Sequence, residues 1–329
     1  MKRFFIVILA LVMAIVAFNA VIGTAAAPII GVASQHVTND WNKGVVKGIT
    51  TALEKLGYQM NHTNAQGNTN QQVADVENFI TRKVSGVIIA GGEGPAFGPA
   101  LKKLKAAKIP VVTVDIPSSD TLCNITSDNF NGGEKLSLYL VNKLGGKGKI
   151  VVFDTPGWAS LAIRYRMLEA VLKDYPEIKI ASRFEAGVTD AVNSTYQQMK
   201  SFLLSNPDVN AVYCTWGLPA IGASKAIKEL KLQDKIFVTC VDADQVVLQE
   251  MNSSGSPLTG VIGQYPELLG SMSVDMLKVA MQGKATPLEA YAPIILIEKN
   301  NPTMWFSGTK ILTPSAAWKA LYPGVALTK

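Results

Sequence analysis

The stretch IIGVASQHVTNDWNKGVVKGITTALEKLGYQMNHTN, residues 29–64, holds one complete strand–helix–strand unit. Ile29 to Ser34 is a short apolar run. Asn42 to Leu56 then places Val45, Val46, Ile49, Leu53 and Leu56 in a stripe at helical spacing. Gly57 stands where a C-cap glycine belongs, and Tyr58 to Thr63 reads as the next strand.

Working outward, the unit repeats. Asn70 to Lys83 is a helix with Val73, Val76, Phe79 and Ile80 on one face, and Val84 to Ala90 is a third strand. Phe97 to Ala107 is a helix and Ile109 to Ile116 a fourth strand. A second half restates the order with strands at Lys149–Asp154, Ile178–Phe184, Val209–Thr215 and Lys235–Val241. Helices at Leu161–Leu172, Ala191–Leu204 and Pro219–Leu230 lie between them. Alternation at this spacing requires parallel strands joined by right-handed crossovers. Short Val- and Ile-rich strands suit sheets covered on both faces. The expected fold is therefore α/β, with two doubly wound parallel-sheet lobes.

In such sheets ligands bind beyond the carboxyl ends of the strands. Those ends are Ser34–Trp41, Asn64–Asn68, Gly91–Gly94 and Asp115 in the first half. In the second they are Thr155–Ser160, Ala186–Thr189, Trp216 and Asp242. Three of the five tryptophans, Trp41, Trp158 and Trp216, fall in this set, in loop-like contexts. Their faces suit the C–H face of a sugar or a planar base; packing on the lobe surface is the bland alternative. Asp115 and Asp242 end the fourth strand of each half and could accept paired hydroxyl bonds from a polyol, or simply cap a turn. Arg164 and Arg166 lie just inside a helix, where one could reach a ligand oxygen and the other a carboxylate. Asn39, Asn64, Gln66 and Asn68 are neutral hydrogen-bonding groups that could equally be loop structure.

Enzyme chemistry finds little support. His36 and His62 are the only histidines, no Ser sits in a GxSxG elbow, and no CxxC occurs. Gly91-Gly92-Glu93-Gly94 lacks the GxGxxG spacing and follows the third strand rather than the first. Gly145-Gly146-Lys147-Gly148 precedes a strand and reads as a turn. No cofactor and no metal site are expected. Cys123, Cys214 and Cys240 leave at least one free thiol; buried thiols on neighbouring strands are favoured over a disulfide for Cys214 and Cys240.

The chain starts Met1-Lys2-Arg3, continues as a purely apolar run from Phe4 to Phe18, and reaches Gly23-Thr24-Ala25-Ala26-Ala27-Pro28. These are the three parts of a secretory signal peptide (residues 1–26), with cleavage expected after Ala25 or Ala26. An uncleaved anchor is the alternative. Losing Lys2 and Arg3 takes the net charge from +6 to +4. Scattered charge of that size argues for solubility and against a nucleic-acid surface.

Ile125-Thr126-Ser127-Asp128-Asn129 with Gly132-Gly133, the Gly145–Val152 and Val209–Val212 segments, Val238–Asp242, and Gly263-Gln264-Tyr265-Pro266 carry a family resemblance. Over about Pro28 to Ile297, the chain resembles the periplasmic sugar-binding proteins of the ribose-binding type. Those proteins share their lobes with the effector domains of lactose-repressor-like regulators. The resemblance implies a periplasmic binding protein fold of type I with a three-segment hinge, crossing near Asp128, Gln264 and Ala292. The lobes are then residues 27–128 with 265–292, and 129–264 with 293–329. It implies ligand-binding roles for Trp41 with Asn39, Asp115, Arg166, Asp242 and the hinge Gln264. To these the strand-end reading adds Trp158 and Trp216.

Ile116, Trp216 and Asn42 depart from the ribose pattern, where an Arg, an Asn and a second aromatic are expected. The implied function is an exported monomer that traps a sugar or polyol by hinge closure and delivers it to an ABC permease, with a chemoreceptor as a possible second partner. A nucleoside or base, or a furanone-type autoinducer, is the alternative ligand. An exported α/β enzyme is the alternative class. The tail after Glu298, with Trp305 and Trp318, exceeds the family norm and is expected only to pack on a lobe surface.

Overall fold

A computed structural model describes residues 26–299 and 311–321. The signal segment and its cleavage position, and Trp305 in the tail, lie outside the described residues.

The N-terminal lobe is built on β1 (Ile29–Ser34), β2 (Gln59–Asn64), β3 (Gly86–Ala90), β4 (Val111–Val114), β5 (Cys123–Ser127) and β11 (Glu289–Ala292). These pair in the order β11-β5-β4-β3-β1-β2, all parallel. Its helices are α1 (Asp40–Lys55), α2 (Thr69–Thr81), α3 (Gly98–Ala106) and α9 (Pro266–Met281). The C-terminal lobe carries β6 (Gly148–Asp154), β7 (Ile178–Glu185), β8 (Ala211–Cys214), β9 (Phe237–Val241), β10 (Leu258–Gly263), β12 (Ile295–Glu298) and β13 (Ile311–Leu312). Their order is β13-β12-β10-β9-β8-β6-β7. Its helices are α4 (Asn129–Leu144), α5 (Ala159–Leu172), α6 (Ala191–Ser205), α7 (Gly217–Glu229), α8 (Gln245–Asn252) and α10 (Pro314–Leu321).

The α1 stripe of Val45, Ile49 and Leu53 is buried, and Asn39 caps the helix by accepting from the Asn42 N–H. α9 comes from far along the chain and docks on this helix. The approach is so close that a Cβ on Gly48 would lie 2.0 Å from the Glu267 carbonyl oxygen, and one on Gly270 2.1 Å from that of Val45. Glycine is required at both places, so the returning chain is locked onto the first lobe.

Two strands depart from the expected parallel pattern: β12 runs antiparallel to β10, and β13, parallel to β12, runs the same way. The cause is the third passage between lobes. The carboxyl ends of both sheets face the gap between them. The chain leaves β11 at such an end and enters β12 after only Pro293 and Ile294, with no helix to carry it round. It therefore enters the second sheet from its carboxyl side. The tail adds β13 to that edge, and Ala317 of α10 is buried in the lobe core.

The three cysteines are free and buried. Cys214 and Cys240 face each other in register on β8 and β9, and burial pushes both thiols up. Gly145 ends α4 in a left-handed conformation, so the glycine-rich segment after it is a turn.

Candidate functional site

A cleft between the lobes encloses about 680 Å³ of empty space, part of it continuous with solvent. From the first lobe His36, Thr38, Asn39, Trp41, Asn42, Gly91 and Asp115 line it. From the second come Trp158, Ser160, Leu161, Arg164, Val188, Trp216, Leu218 and Asp242, with Gln264 between lobes. Each contributing segment follows the carboxyl end of a strand of one sheet or the other, as the topological rule for open α/β sheets requires.

The polar groups form a connected path through the hinge. Asp115 and Asp242 follow β4 and β9 and share left-handed backbone conformations, with φ of 59° and 78°. Thr126 donates to Asp115 Oδ1 at 2.6 Å, and Asn129 Nδ2 donates to the Thr126 hydroxyl at 2.9 Å. Arg164 donates through Nε to Asn129 Oδ1 at 2.8 Å and through Nη1 to the Thr215 carbonyl at 2.9 Å. Its Nη1 also lies 3.7 Å from Asp242 Oδ1, and Gln264 donates to the same oxygen. The two carboxylates, on different sheets, are thus joined through Asn129 at one lobe passage and braced by Gln264 at another. Burial pushes the Asp115 carboxyl up; the Thr126 bond and the Arg164 charge oppose that, and the Asp242 charge adds to it.

A model of the periplasmic binding protein domain matches residues 30–285, most of the described chain. The chain belongs to that family. It is 25% identical over 272 residues to a ribose import binding protein of Bacillus subtilis, covering 81% of this chain and 86% of that one. Among solved structures, an ABC transporter solute-binding protein from Agrobacterium vitis with bound allitol superposes with a TM-score of 0.81. It is 28% identical and covers 83% of this chain and 96% of its own. A 5-methylthioribose transporter solute-binding protein from Thermotoga lettingae gives a TM-score of 0.77 at 25% identity, covering 82% and 85%.

Within this family framework, the cleft gathers Asn39, Trp41, Asp115, Trp158, Trp216, Asp242 and Gln264. Arg166 is a correction: it is exposed and does not line the cleft, whereas Arg164 is almost fully buried and does. Two residues along an α-helix turn the side chain by about 200°, so only one of the pair can face inward. Ser160, Leu161 and Arg164 form the inward face of α5, a periodicity readable in the sequence.

Ile116 is also repositioned. Its side chain is buried in the core of the first lobe and its N–H is held by Asn124 Oδ1 at 2.9 Å, so it leaves the cleft chemistry untouched. Asn64 and Asn68 serve the backbone, accepting from the Gln66 and Gln71 N–H groups, outside the cleft. Asn39 does both jobs, capping α1 while lining the cleft. His36, Thr38 and Val188 sit within the strand-end segments. Leu218 and Asn42 lie beyond them, on the first turns of helices, and only the helix direction reveals them. Among the described residues there is no metal-ligand cluster and no helix long and apolar enough to cross a membrane.

Proposed function

We propose that this protein is an exported solute-binding protein that closes on a sugar or polyol and presents it to an ABC importer. The observation that carries the reading is the convergence of two carboxylates and a buried arginine, from two sheets, on one cleft joined through the hinge residues. Ionised acceptors and a guanidinium donor suit a dense array of hydroxyls, because charged hydrogen bonds are the strong ones. Buried groups left unmet by a wrong ligand are costly, and this supplies specificity. A ligand touching both lobes binds the closed arrangement better than an open one and shifts the population toward it. The leader sequence, and relatives named for ribose import and solved with allitol or 5-methylthioribose, support the same reading.

The test is a thermal-shift and tryptophan-fluorescence titration with polyols, pentoses, hexoses, nucleosides and amino acids. A sugar or polyol should raise the melting temperature in a concentration-dependent way. Binding of nucleosides or amino acids alone, or turnover of any compound, would overturn the proposal.

A further inference from the structure

The cleft has two chemically different sides. Asp115, Arg164 and Asp242 gather its charged groups beside the hinge with Ser160 and Gln264, and His36, Thr38, Asn39 and Asn42 of the first lobe add further hydrogen-bonding groups. The second lobe's remaining wall is apolar and continuous. Leu161, Ala191 and Trp216 form a buried cluster, and Trp158 and Leu218 pack against it. All of these but Ala191 line the cleft, and Val188, 39% exposed, extends the surface.

The one polar atom of the Trp216 side chain is already used. Its Nε1 donates to the Thr155 hydroxyl at 3.0 Å, and that hydroxyl donates to the Ala186 carbonyl at 2.7 Å. Trp216 therefore offers a ligand only carbon surface. A hydroxyl pressed on this wall would lose its water with no partner, whereas a methyl group would lose nothing.

We propose that the ligand is amphipathic: a polyhydroxylated sugar or polyol bearing a deoxy or short alkyl terminus that lies against Trp158, Trp216, Leu218 and Val188. This rests on the sugar-or-polyol reading above. Its hydroxyls meet the hinge-side carboxylates, and its apolar end lies against the apolar wall of the second lobe.

Calorimetric titration with matched pairs tests it: D-ribose against 5-deoxy-D-ribose, D-galactose against D-fucose, and L-mannose against L-rhamnose. In a pair that binds, the deoxy member should be tighter on the order of 10- to 100-fold, the range a hydrophobic pocket commands over one group. Leu218→Asn and Val188→Thr, each checked for an unchanged melting temperature, should weaken binding of the deoxy member more than that of the parent sugar and so shrink that preference. If sugars or polyols bind but no deoxy member is favoured, or the preference survives both substitutions, this inference falls and the broader reading stands. If no carbohydrate or polyol binds at all, both fall.

Discussion

Asp115 and Asp242 occupy equivalent places in the two lobes, each just past the fourth strand and each with left-handed backbone, yet their surroundings differ. Asp115 is bound by a neutral hydroxyl, that of Thr126. Asp242 is held by the Gln264 amide and faces the Arg164 guanidinium. The same contrast runs through the walls around them: the first lobe lines the cleft mostly with amide, hydroxyl and imidazole groups, the second mostly with indole and aliphatic carbon. A duplicated strand–helix pattern therefore fixes where a site residue stands, while its neighbours decide what it can do there.

The largest effect should come from the cation that links the two aspartates. Arg164→Met removes a buried charge that serves Asn129, the Thr215 carbonyl and Asp242 together. It should lower unfolding free energy by about 3–5 kcal/mol, the cost of breaking a buried ion pair from one side, and abolish ligand binding. Arg166→Met on the exposed face of the same helix should leave both unchanged. Urea unfolding and ligand titration on the two variants check this, and equal effects would erase the distinction between the helix faces.

Asp242→Ala should come next, weakening affinity by about 1.5–3 kcal/mol, the worth of a hydrogen bond to a charged group, or roughly 10- to 150-fold. Asp115→Asn should also weaken binding but leave the apo protein as stable or more so, because burial already disfavours its charge. A melting temperature that falls in both variants alike would remove the asymmetry.

The smallest effect is a pH dependence. The folded pKa of Asp115 is raised, so the native state holds its proton more tightly than the unfolded chain. This residue's contribution to stability therefore grows as pH falls through the folded pKa and levels off below the unfolded one. Ligand affinity should move the other way, since the charged acceptor is lost over the same fall. Asp244, buried beside Asp242 and Asp40, is shifted in the same direction. Comparing the wild type with Asp115→Asn across acidic pH isolates the Asp115 share; identical affinity profiles in the two would refute it.

Much of this was legible in advance because it is local. Apolar periods of two kinds, with a glycine after Leu56, fix the order of the first four strands of each lobe and the helices between them, and parallel topology places the carboxyl ends together. That is why Trp41, Asp115, Trp216 and Asp242 could be picked out from strand ends alone. Arg166 does not reach the cleft because a resemblance aligns a residue type without its helical phase, and only the structure shows that the turn after β4 sends the Ile116 side chain back into the core.

What the amino-acid order determined by itself was therefore the order of the first four strands of each lobe and the helices between them, the two-lobed α/β class and the segments that border a cleft. Only the tertiary structure decided the rest. It set which arginine turns inward and that Asn129 and Gln264 carry the link between the aspartates. It also committed the Trp216 N–H to Thr155, and it made β12 antiparallel because the last passage between lobes lacks a helix. These outcomes depend on partners 22 to 61 residues apart in the chain, such as Asp242 with Gln264 and Thr155 with Trp216. No local period records such pairings, since they exist only once both sheets have folded and met.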